Sequence, residues 1–122
     1  MSRLVFLLAG LLFATAAHAA DKQQRVYKVD SIVASVKGRT LTIEAKGAVQ
    51  SGGWRDGRLH RIHAADPNTL AVEFLATPPP PEMTVIEGLV PVSARLKLPA
   101  PRNVGAVRAV AEANEVTSQI LH

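Results

Sequence analysis

Hydrophobic and polar residues alternate along most of this chain, and the alternation is cleanest in "TLTIEAKGAVQ", residues 40–50. Leu41, Ile43, Ala45, Gly47 and Val49 share one face, and Thr40, Thr42, Glu44, Lys46 and Gln50 share the other. That period of two predicts a half-buried strand. "TLAVEFLAT", residues 69–77, repeats it with Leu70, Val72, Phe74 and Ala76 inward and Thr69, Glu73 and Thr77 outward, Leu75 being the exception. In "IEGLVPVSARLKL", residues 86–98, the inward set is Ile86, Gly88, Val90, Val92, Ala94, Leu96 and Leu98. Pro91 interrupts this run and has no N–H for a ladder, so it predicts an edge, a bulge or a passage between sheets, with two short strands meeting at a kink. Upstream, the β-branched "RVYKVDSIVASV" is followed by "KGRT", a glycine turn that joins it to the Thr40 strand as a hairpin.

"VGAVRAVAEANEVTSQIL" predicts two further strands folded at Ala113, Asn114 and Glu115, where Asn tolerates the left-handed backbone of such turns. A helix over residues 104–116 competes, because Ala and Glu are good helix formers. Against it stand the β-branched Val104, Val107, Val110 and Val116 and the alternation of Arg108 and Glu112 with Ala109 and Ala111. "DPN" at 66–68, the proline run 78–81 and "LPAPRN" at 98–103 read as turns or extended connectors. The proline run also has the composition of a polyproline ligand, but between two strands a stiff connector is the expectation. About seven short strands predict an all-β immunoglobulin-like β-sandwich, with a small β-barrel as the alternative.

The first twenty residues stand outside that pattern. Arg3, the apolar run Leu4–Phe13 and the small residues Ala17, Ala19 and Ala20 have the form of a secretory signal peptide cleaved near Ala19 or Ala20. The run is short of the roughly 20 apolar residues a spanning helix needs. Residues 1–20 therefore read as a leader and residues 21–122 as a single domain, periplasmic or secreted. With no cysteine, the chain offers neither a disulfide nor a lipid-anchor cysteine. Removing the leader takes away only Arg3 from a formal net charge of +4, and the remaining charges are scattered. Nucleic-acid binding calls for a basic stripe with stacking aromatics, and beyond the leader the aromatics are only Tyr27, Trp54 and Phe74.

Candidate chemistry concentrates in "VQSGGWRDGRLHRIHAAD", residues 49–66. His60, His63 and Asp66 are the one set with metal-ligating side chains. Residues three apart on a strand point to opposite faces, so a regular strand would separate the histidines. Ser51 can be combined on paper with His60 or His63 and Asp56 or Asp66 as a triad, yet no nucleophile-elbow motif supports it. No catalytic residue and no cofactor is expected. Trp54 with Arg55, Arg58, His60 and Arg61 is the candidate binding patch, suited to an anionic small ligand or a carboxylate-bearing envelope protein. Trp54 has a competing role: flanked by glycines, it can fold back as a plug over one end of the core.

Four pieces, "GAVQSGGW" (47–54), "AVEFLATPPP" (71–80), "LVPVSARLKLP" (89–99) and "VGAVRAVAEAN" (104–114), together resemble a family of small exported proteobacterial proteins of unknown function. The resemblance implies an exported single-domain protein and carries over no site residue.

Overall fold

The computed structural model describes residues 22–122, so the expected leader lies outside the described residues. Eight strands run in chain order: β1 (Gln24–Arg25), β2 (Lys28–Lys37), β3 (Thr40–Ser51), β4 (Arg55–Ile62), β5 (Thr69–Thr77), β6 (Glu87–Pro99), β7 (Ala106–Val110) and β8 (Glu115–Leu121). Among the described residues there is no helix, and the ambiguous stretch 104–116 contributes β7 and the start of β8.

The strands form one sheet in the order β6-β3-β2-β8-β7-β5, with β4 and β1 also paired to β5. Leu75 of β5 pairs with Arg58 of β4 and with Arg25 of β1, so these two strands flank it on opposite sides. Most pairs are antiparallel, but β2 with β8 and β5 with β7 are parallel. β8 is the corner: residues 115–119 pair with β7, and Ile120 and Leu121 pair with β2. The sheet curls about this corner until its two halves share one core, in which Phe74, Val72 and Val107 meet Leu41, Ile43, Val29 and Val49. The result is an open, curled sheet with the facing layers of a sandwich and the continuous pairing of a half-barrel.

The curl brings β4 alongside β6, tightly at Gly57. A Cβ on Gly57 would stand 2.6 Å from the carbonyl oxygen of Ser93, so only glycine allows that approach. No ladder joins the two strands among the described residues.

The alternation in β3 and β5 is as read: Leu41, Ile43, Ala45 and Val49, and Leu70, Val72, Phe74 and Ala76, are all buried. Three readings need correction. β6 is one continuous strand of 13 residues rather than two short ones. The N–H of Ala100 donates to Arg39 O at 2.8 Å, which turns the even-numbered residues of β6 toward β3 and the odd-numbered ones toward the free edge. Pro91 and Pro99 therefore lack their N–H where no ladder needs it, and no kink results. At the strand's start the inward pattern fails: Ile86 is 81% exposed, and a register irregularity beside Gly88 (φ 136°) resets the alternation. Finally, Thr77 is buried, not solvent-facing, because its hydroxyl oxygen accepts from Gln23 Nε2 at 3.3 Å beneath the β4 bulge.

Asn114 departs from its expected role as well. Its φ is not positive; among the described residues the positive-φ residues other than glycine are Asp56 and Asn103. Instead its side-chain amide pairs with one backbone residue, Oδ1 accepting from Val29 N and Nδ2 donating to Val29 O, both at 2.9 Å. Val29 precedes the β2 bulge, where the register against β3 slips by one residue. Asn114 thus supplies the donor and acceptor that a strand neighbour would.

Candidate functional site

β3 ends at Ser51, and the chain crosses to the other half of the sheet through Gly52, Gly53 and Trp54 before β4 begins at Arg55. The crossing is short, since Arg55, Asp56 and Gly57 already belong to β4. Gly53 takes φ 90° and lies under the proline connector, where an added Cβ would come within 2.9 Å of Pro79 Cβ and 3.2 Å of Met83 Sδ. A hydrogen bond from Gly52 N to Ile86 O, 2.9 Å, ties the crossing to the end of that connector. Trp54 is thus placed by a glycine turn clamped from outside.

Trp54 is half-buried and packs against the core. It also lines a cleft of about 300 Å³ together with Gln24, Arg25, Tyr27, Gln50 and Glu112. One side chain therefore both packs on the core and walls a cleft. None of the other five was a candidate by sequence. Gln50 and Glu112 were only polar members of alternating runs, and the pairing that unites residues 24–27 with 112 is long-range.

The remaining candidates are dispersed rather than gathered around Trp54. Between Arg55 and Arg58 the β4 register slips by one residue, with Asp56 at φ 57°, a bulge that re-aims the following side chains. Arg55 and Arg58 line a separate cleft of about 420 Å³ with Gln23, Asp56, Gly57 and Thr77. Arg55 Nη1 is 2.9 Å from Asp56 Oδ2, and Gln23 Nε2 donates to Asp56 O at 2.9 Å.

After the bulge His60 lies opposite Glu73, with Nδ1 3.3 Å from Oε1, while Arg25 Nε donates to Oε2 of the same carboxylate at 3.0 Å. Glu73 and Glu44, outward-facing members of their strands, are both engaged in ion pairs, Glu73 with Arg25 and Glu44 with Arg95. Exposed pairs of this kind contribute only about 0–1 kcal/mol each.

Arg61, His63 and Asp66 line a third cleft of about 390 Å³ at the far end of β4. His60 is not among its residues, so the set His60, His63 and Asp66 is not assembled. Asp66 is committed to its turn: Oδ1 accepts from Asn68 N at 2.8 Å and Oδ2 from Thr69 Oγ1 at 3.3 Å. Among the described residues no three His, Cys, Asp or Glu side chains form a group that would hold a metal ion. No helix among them is long and apolar enough to cross a membrane.

No family model, curated protein or solved structure matches this chain.

Proposed function

We propose that this protein is an exported, non-enzymatic binding module whose ligand or envelope partner is received at the Trp54 end of the curled sheet. The observation that carries this reading is the double contact of Trp54, which packs against the core and lines a cleft with Tyr27, Arg25 and three other polar residues. Aromatic surface beside a few convergent polar groups is the usual composition of a ligand site. A rigid β framework presenting its ends to a partner fits the same role. Delivery to the periplasm or the medium follows from the leader-like form of residues 1–20.

Trp54 is the only tryptophan and so reports its own surroundings. Acrylamide quenching of its fluorescence, with and without a soluble fraction of the native cell envelope that retains both small molecules and proteins, tests the proposal. Protection of Trp54 by that fraction is the expected result, accompanied by a higher melting temperature, since a ligand at 100 times its Kd stabilises by about 2.7 kcal/mol. Unchanged quenching together with an unchanged melt would remove the binding reading.

A further inference from the structure

We infer that the Trp54 cleft takes an uncharged polyhydroxylated sugar, one or two rings of a glycan, held by stacking on Trp54 and Tyr27 and by side-chain hydrogen bonds. This rests on the proposed role of the Trp54 end as the binding end and names the ligand class.

The donor and acceptor inventory points to hydroxyl groups. Glu112 offers an acceptor-only carboxylate, and Arg25 offers donors only. Gln24 and Gln50 each offer both, and Tyr27 contributes a phenolic O–H. A site for an anion would present mainly donors. This one mixes them, with one cation and one anion in its lining. Arg25 is further neutralised by Glu73, whose Oε2 accepts from its Nε at 3.0 Å. Sugar hydroxyls donate and accept at once, so they suit such a mixture, and the apolar face of a pyranose suits an aromatic ring. At about 300 Å³ the cleft lies at the lower end of ligand-pocket volumes, which limits the occupant to a short segment.

The backbone around the cleft argues against an extended peptide. Peptides that join a sheet are read through free main-chain groups. Beside the cleft three such groups are spent on neighbours: Val26 N donates to Phe74 O, Glu112 N to Val26 O and Ala113 N to Tyr27 O, each at 2.9 Å. Recognition then rests more on side chains, and of these Gln24, Arg25, Gln50 and Glu112 are exposed.

The test is titration of Trp54 fluorescence with chitotetraose, cellotetraose and maltotetraose, alongside an alanine–serine decapeptide and inorganic phosphate. The expected result is a saturable change with at least one oligosaccharide. The exposed double variant Gln50→Ala, Glu112→Ala should weaken it by about tenfold, while Lys97→Ala, exposed on β6 and outside the cleft, leaves it unchanged. Because this double variant keeps Trp54 and removes no core side chain, the test does not depend on Trp54→Ala folding. No saturable change with any oligosaccharide, or a change indifferent to the double variant, overturns the inference. Saturation by the decapeptide or phosphate alone overturns the sugar class and leaves the Trp54 end as the binding end. Silence from every probe together with failure of the envelope-fraction experiment overturns both.

Discussion

Asn114 is the residue on which the join between the two ends of the described chain turns. Its amide closes two hydrogen bonds on Val29, a residue only 1% exposed, so truncation leaves a buried donor and a buried acceptor without partners. Asn114→Ala should cost about 1–3 kcal/mol, a fall in melting temperature of roughly 4–8 °C per kcal/mol for a domain of this size. Asn114→Asp keeps the acceptor but sets a carboxylate oxygen against Val29 O, so it should be no more stable than the alanine variant. If Asp restored the native melt, the two-bond clamp would be wrong. The position of this turn was legible in the sequence, because Asn-containing polar stretches between valine runs mark turns. Its partner was not, because nothing local in residues 113–115 points 85 residues back to Val29. The same limit applied to Trp54: its glycine turn could be read, but Tyr27 and Glu112 reach its cleft only through tertiary pairing.

At the scale of the strand, β6 shows how a long edge is kept from pairing with another chain. Its odd-numbered backbone groups face outward, and two of those positions, Pro91 and Pro99, have no N–H to offer. Replacing both by Thr returns the donors, and sedimentation velocity should then show a concentration-dependent rise in mass that the parent lacks. Equal masses would mean that the prolines do not guard the edge. The opposite margin of the sheet has its own requirement. Gly57→Ala drives a methyl toward Ser93 O and should destabilise by about 1–3 kcal/mol, the usual cost of overpacking; a native melt would place β4 further from β6. The inward faces of β3 and β5 were readable because both lie inside the sheet with one face on the core. β6 misled because proline's missing donor matters only on the side that needs it, and pairing direction cannot be read from one strand. In β4 the extra residue at Asp56 shifted the side-chain parity, which no alternation count reveals.

The whole molecule keeps its scattered charges scattered. The imidazole of His60 is beside Glu73, and Asp66 is held in its own turn, so zinc in tenfold excess should leave the melting temperature of the protein and of a His60→Ala, His63→Ala variant alike. A zinc-dependent rise in the protein that the variant lacks would reinstate a metal site. The all-β class and the two facing layers followed from periodicity, whereas the curl about β8 did not, since a strand that changes neighbours midway looks like any other. That corner also governs the order in which the molecule can come into being. The parallel contacts of Ala34 with Ile120 and Ser35 with Leu121 leave one side of β2 without a neighbour until residues 115–121 have left the ribosome. The β2–β3 hairpin can form early, but the closed core cannot. A nascent chain halted before residue 115 should therefore remain protease-sensitive and loose enough to thread through a narrow channel.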